Sequence, residues 1–223
     1  MSVAAVIFDL DGTLLDSLVD IAQAANTILE SHSFPTHDVS AYRYFVGDGL
    51  RRLLQRTVPK ARCDDTELIE QLIAEFTELY RRTWNVQSRL YDGVPQMLHG
   101  LMERDIALAV LSNKPQEATR RCVEYFLATY PFAAVLGQQE NRPPKPDLTG
   151  VREILQRLRV EPTDCLYLGD TAVDMQTACG AAVVPVGASW GFREAEELER
   201  AGAKVIIHHP CELLGVVDER GSS

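Results

Sequence analysis

Two carboxylates one residue apart, Asp9 and Asp11 in FDLDGTLLDS (8–17), stand directly after the apolar run VAAVIF. Such a run is continuously apolar, as a strand buried on both faces should be, so the pair falls at a strand's carboxyl end. Residues i and i+2 of an extended segment project to the same side, and Gly12 permits a sharp turn, so both acids could face one ligand. An Asp can act as a nucleophile toward phosphorus, and a second acid nearby can carry the proton. Taken alone, the pair reads equally well as an Asp-Gly turn with a spare acid.

Three further strand ends bear on that choice. Ser112-Asn113-Lys114 follows IALAVL and offers a hydroxyl, a small polar side chain and backbone N–H groups ahead of a helix, where anions are well received. Lys145 lies in RPPKPD, between prolines that would hold it in a stiff loop. Gly169-Asp170 closes the run CLYL, and Asp174 four residues later can lie on the same side of a starting helix. Each has a bland alternative: a helix cap for Ser112 and for Asp170, a solvated surface charge for Lys145. Together they would place carboxylates, a hydroxyl and an amine at one rim of one sheet, where open α/β folds bind ligands.

Phosphoryl transfer needs such a set, with one condition. A carboxylate about 4 Å from a phosphate oxygen meets about 4 kcal/mol of repulsion at an effective dielectric near 20. Asp9, Asp11 and Asp170 would therefore defeat themselves without cations. Mg²⁺ prefers carboxylate oxygens, water and phosphate, and Lys145 supplies a second, compact positive charge. Ser112 and neighbouring N–H groups can hold the remaining oxygens.

The elements that would position these groups are legible as two textures. From residue 92 onward, β-branched runs (106–112, 165–170, 182–187, 204–207) alternate with helical stretches, the pattern of βα units feeding a parallel sheet with helices on both faces. VAAVIF belongs to that sheet by character. Residues 16–85 lack a good strand, while DIAQAANTILESH, GDGLRRLLQRTV and TELIEQLIAEFTELYRRTW carry apolar residues at helical spacing, with Ile69, Leu72, Ile73, Phe76, Leu79 and Tyr80 on one stripe. The expectation is an α/β fold: a Rossmann-like parallel-sheet core from residues 1–15 and 86–223, and an inserted α-helical cap subdomain over residues 16–85. With 223 residues, 46% of them hydrophobic, the chain can bury one substantial core plus a smaller unit. A net charge of −10 argues against nucleic acid or an anionic membrane as partner, and no apolar run approaches the roughly 20 residues of a membrane span. Five scattered cysteines without a C-x-x-C pair suggest neither a disulfide framework nor zinc, which fits a cytoplasmic protein. Nothing in the chain speaks to oligomeric state.

With D-x-D-G-T at Asp9–Thr13, the Ser112 strand end, Lys145 and G-D-x-x-x-D at Gly169–Asp174 in this order, the chain resembles the haloacid dehalogenase superfamily over its whole length. The resemblance implies that Asp9 is the nucleophile and Asp11 the general acid/base. It implies Mg²⁺ on Asp9, Asp170 and the Asp11 backbone carbonyl, with Asp174 supporting the metal site, and phosphate held by Ser112 and Lys145 with Thr13 and Asn113 as helpers. An acid at Asp11 favours phosphoryl transfer over carbon–halogen or carbon–phosphorus cleavage. The helical insertion is similar to the caps of phosphoglycolate phosphatases, related pyrophosphatases and β-phosphoglucomutases, and such a cap closes over the site and excludes water. FVGDGLRRLL (45–54) and Trp190-Gly191-Phe192 resemble segments of the phosphoglycolate phosphatase branch. Gly47 and Arg51 are candidate specificity residues, because a guanidinium (Arg51 or Arg52) can pair with a substrate carboxylate, although such an Arg on a helix is also commonly a solvated face. Gly47-x-Gly49 is no dinucleotide motif, lacking the third glycine and the preceding strand.

The expected function is Mg²⁺-dependent hydrolysis of a small phosphorylated metabolite through an aspartyl-phosphate, most like phosphoglycolate phosphatase. The alternatives are a phosphomutase of the β-phosphoglucomutase type, a pyrophosphatase or nucleotidase on the same scaffold, or a non-catalytic phosphate-binding regulatory module.

Overall fold

In the computed structural model, which describes residues 2–221, the chain starts with β1 (Ala5–Phe8) and a two-residue strand, β2 (Leu15–Asp16). Four helices follow: α1 (Leu18–Ser31), α2 (Tyr42–Phe45), α3 (Leu50–Thr57) and α4 (Thr66–Thr83). The chain returns through β3 (Arg89–Leu90) and α5 (Val94–Met102), then alternates β4 (Ala107–Pro115), α6 (Gln116–Phe126), β5 (Phe132–Gln138), α7 (Thr149–Leu158), β6 (Cys165–Gly169), α8 (Ala172–Gly180), β7 (Val184–Ala188), α9 (Ala195–Arg200), β8 (Val205–Ile207) and α10 (Glu212–Gly221). Six strands form one parallel sheet in the order β5-β4-β1-β6-β7-β8. Among the described residues no helix is long and apolar enough to cross a membrane.

β1 is central, in register with Ala107–Val110 of β4 on one side and Cys165–Leu168 of β6 on the other. Its pleat feeds two cores. Val6 and Phe8 join a cluster that runs continuously into α1, α3 and α4, whereas Ala5 and Ile7 join Leu111, Tyr167, Val151 and Ile154 on the opposite face. A single apolar mass therefore ties β1 to the helical segment.

The helical segment forms for local reasons. Asp65 caps α4, its carboxylate accepting from the Leu68 N–H, and Leu68, Ile69, Leu72, Phe76 and Tyr80 are buried along one face. Ile73 and Leu79, expected on the same stripe, are half-buried at its edges. Where the chain leaves and returns, β2 and β3 pair antiparallel, with Leu15 opposite Leu90 and Asp16 ion-paired to Arg89. Buried Asp20 fastens the return: its carboxylate accepts from the Gln87 N–H and from the N–H and hydroxyl of Ser88.

Two expectations need correction. The sheet has a sixth strand, β5, that the periodicity did not reveal: FAAVLGQ is an edge strand built largely from small residues, and only Ala134, Leu136 and Gly137 within it are buried. β4 continues past Ser112 to Pro115, and α6 begins only at Gln116, so the Ser-Asn-Lys triplet is strand rather than a helix N-terminus.

Because three donors converge on one buried carboxylate, Asp20→Ala is expected to destabilise the protein by about 2 kcal/mol or more, leaving two backbone N–H groups without their acceptor. A shift of the urea midpoint without a change of slope would measure it.

Candidate active site

The sheet order places the chemistry-bearing residues side by side. Asp9 leaves the end of β1, Ser112 lies on its neighbour β4, and Asp170 leaves the end of its other neighbour, β6. Lys145 enters from the loop before α7, and its ammonium bridges Asp9 Oδ1 at 2.9 Å and Asp174 Oδ1 at 2.7 Å. Asp9, Ser112, Lys145, Asp170 and Asp174 are all buried.

Each acid is held by specific donors. Asp9 Oδ1 accepts from the Leu10 N–H (2.7 Å) as well as from Lys145, and no described residue donates to Oδ2. Asp170 accepts from the Thr13 hydroxyl (2.8 Å) at one oxygen and from the Phe192 N–H (2.8 Å) at the other. Thr13 thus grips an acid rather than facing open space. Asp174 closes a capping box at the start of α8, accepting from the N–H and hydroxyl of Thr171, while its other oxygen takes Lys145 and the Tyr167 hydroxyl. Gly12 sits at φ +91° with Asp170 so close that a Cβ would lie 2.3 Å from its oxygen; the glycine of the Asp-Gly turn is demanded by both conformation and contact.

Carboxylate oxygens of Asp9, Asp170 and Asp174 all lie within 4.8 Å of one another. Three buried acids face the single ammonium of Lys145, and the electrostatics register the imbalance. Burial pushes the Asp9 carboxyl well above its usual range, with Asp174 and Asp170 adding to the rise and Lys145 opposing it. Burial and then Asp174 push Asp170 up to about 7, against the pull of the Phe192 N–H and the Thr13 hydroxyl. Lys145 is held well above its ordinary value, because Asp174 and Asp9 outweigh its burial. An all-oxygen, net-negative, buried donor set suits a hard divalent cation such as Mg²⁺.

Comparison with known proteins agrees with this geometry. The sequence pattern of the haloacid dehalogenase-like hydrolases matches residues 6–188. The chain belongs to that family. It is 32% identical to the phosphoglycolate phosphatase of Xylella fastidiosa (strain Temecula1) over 192 residues, covering 86% of this chain and 82% of that protein. It is 29% identical to the phosphoglycolate phosphatase of Vibrio vulnificus (strain YJ016) over 215 residues, 94% of each. A crystal structure of a predicted phosphoglycolate phosphatase from Haemophilus somnus superposes with a TM-score of 0.89 at 25% identity, covering 97% of this chain and 98% of that one.

In this hydrolase Asp11 stands apart from the three-acid cluster. Lys114 Nζ donates to both Asp11 oxygens (2.8 and 2.9 Å) and to the Tyr80 hydroxyl of α4 (3.1 Å), and the Ser17 hydroxyl donates to Asp11 at 2.6 Å. Lys114 and Tyr80 were not singled out as functional in the sequence: the lysine stood third in a triplet read for its hydroxyl and amide, and the tyrosine belonged to a stripe read as core. Asn113 acts as a strut. Its carbonyl accepts from the Lys145 N–H (2.7 Å), and its amide donates to the carbonyls of Lys145 and Gly47. Gly47, at φ +121°, therefore comes to the site, whereas the Arg51 guanidinium pairs with Glu70 on the exposed side of α3 and α4. Arg193 donates to the carbonyls of Arg43 and Val46, and Trp190 donates to the Thr13 carbonyl, so the loop after β7 clasps both the helical segment and the first turn. Between α3, α4 and α6 a cavity of about 190 Å³ opens onto Asp9, Asp11, Ser112 and Lys114.

The raised Asp170 carboxyl has a measurable sign. A carboxyl whose folded-state value lies above its unfolded one contributes stability that is full below its ordinary value of 3.8 and is lost as pH rises through about 7. Chelator-treated protein is expected to melt at progressively lower temperature across that window in a thermal-denaturation series; a flat profile would contradict it.

Proposed function

We propose that this hydrolase cleaves a small phosphate monoester with Mg²⁺ by way of an aspartyl-phosphate on Asp9. The observation that carries the reading is the state of Asp9: one oxygen tied to the Leu10 N–H and Lys145, the other without a protein donor among the described residues, at the floor of a cavity. In the first step Asp9 Oδ2 attacks phosphorus and the ester P–O bond breaks, with Asp11, in its acid form and so released from its ion pair with Lys114, giving its proton to the departing alkoxide. In the second, Asp11 takes a proton from water, which attacks the aspartyl-phosphate and releases inorganic phosphate. Lys145 and the Ser112 hydroxyl bind phosphoryl oxygens, and Asn113 keeps the Lys145 backbone in place.

Asp9, Asp170 and the Asp11 carbonyl would hold Mg²⁺, with Asp174 behind them. When bound, the ion supplies the positive charge that lets Asp9 stay ionised beside an anionic phosphate. The helices of residues 16–85 form the cap, which keeps bulk water away from the site while leaving room for the one water that attacks the aspartyl-phosphate. A cytoplasmic location goes with this reading, since scattered thiols without pairing motifs suit a reducing compartment.

Phosphate release from a panel of 2-phosphoglycolate, sugar phosphates, nucleoside monophosphates and pyrophosphate is expected to require Mg²⁺. Asp9→Asn should lower turnover by roughly three orders of magnitude or more, and Lys145→Ala by orders of magnitude as well. Near wild-type turnover in Asp9→Asn would refute the mechanism, and transfer to a second sugar hydroxyl without free phosphate would identify a mutase.

A further inference from the structure

The cavity beside Asp9 and Asp11 has walls of a definite character. Ile21, Val46, Leu50, Leu53, Phe76 and Trp84 line it, all contributed by the helical segment, and all of them are buried or half-buried. At about 190 Å³ it exceeds the roughly 150 Å³ of an apolar protein cavity able to hold benzene. The alcohol portion of 2-phosphoglycolate is a two-carbon acid, small for the part of this space that lies beyond the Asp9 end, where a phosphoryl group would sit, and charged where the walls are largely hydrocarbon.

The cations that line the cavity are already engaged. An ammonium has three N–H donors, and those of Lys114 meet the two oxygens of Asp11 and the Tyr80 hydroxyl. Arg81 is paired with Glu78, and Arg121 with Glu117, an acid that itself lines the cavity, and with the Arg81 carbonyl. Arg51, the residue best suited by sequence to meet a carboxylate, does not line the cavity and is held by Glu70. A substrate carboxylate here would lose its hydration without gaining a free partner, whereas an aromatic or branched aliphatic group would gain buried contact on several sides.

We propose that the substrate is a phosphate monoester whose alcohol carries an apolar, ring-sized group, seated against Leu50, Leu53, Phe76 and Trp84, rather than a small carboxylate. This rests on the reading that the enzyme hydrolyses phosphate monoesters at Asp9. It also makes the helical segment, rather than the sheet, the part that selects among them.

The test pairs turnover with binding. With Mg²⁺ supplied, kcat/KM for benzyl phosphate is expected to exceed that for 2-phosphoglycolate by about tenfold or more, the scale on which an apolar pocket discriminates. The CH₂-for-O analogues of these two esters, 2-phenylethylphosphonate and 3-phosphonopropionate, are compared by titration calorimetry on the wild-type protein, with the phenyl compound expected to bind about tenfold tighter. Leu50→Trp, at a half-buried position where a larger side chain fills the cavity, should reduce that preference. Equal or better turnover of 2-phosphoglycolate, or equal or tighter binding of 3-phosphonopropionate, overturns the inference while leaving the phosphatase reading intact. Turnover of neither ester nor of the wider panel, with the phenyl compound still bound more tightly, upholds the cavity's preference and overturns the catalytic reading. Binding of neither phosphonate overturns the inference.

Discussion

Lys145 is the one positive charge inside a buried group of three carboxylates, and the rest of the site is arranged around that shortage. Removing charge from water is costly, and an ammonium that bridges Asp9 and Asp174 offsets only part of the cost. The remaining excess is visible in the upward displacement of Asp9 and Asp170. Such a site is electrostatically unfinished in the protein alone. Such unfinished negative charge at the meeting point of three strand ends suits a hard cation, which would be held among Asp9, Asp170 and Asp174 and would supply positive charge toward phosphoryl oxygens.

The scaffold meets the cost by making the acids hard to move. Asp174 is locked by the capping box of α8, Asp170 by a hydroxyl from the first turn and an N–H from the loop after β7, and Lys145 by the side chain of Asn113. These donors come from four segments far apart in the chain, so the geometry is a property of the assembled sheet. The same loop after β7 holds Asp170 through Phe192 and the helical segment through Arg193. The placement of the helical segment and that of Asp170 are thereby coupled through a few adjacent residues.

A second charge pair serves a different purpose. Lys114 and Asp11 neutralise each other outside the three-acid cluster, and Tyr80 brings α4 down onto them. The proton-carrying acid of the proposed mechanism is thus held by a residue of the core and watched over by a residue of the helical segment, next to an apolar cavity. The acids and the lysine are concentrated at the strand ends, and the apolar wall of the cavity is concentrated in the helices.

What the sequence determined by itself was the inventory and the order of the reactive groups: an acid pair after an apolar strand, a hydroxyl, a lysine and a further acid pair, each at a strand end or stiff loop. Strands buried on both faces announce themselves by unbroken apolar runs, so β1, β4, β6 and β7 were legible, and the long helices α1 and α4 showed their periodicity. β5 was not, because an edge strand of small residues carries little pattern. Nor could the sequence tell that Asn113 would hold the Lys145 backbone, that Arg51 would pair with Glu70, or that Lys114 would meet Asp11. Those distinctions depend on which donor meets which acceptor across tens of residues, as Lys114 meets Tyr80 and Arg51 meets Glu70. Local propensity sets where a side chain stands along its element; only the packing of helix on sheet decides what it faces.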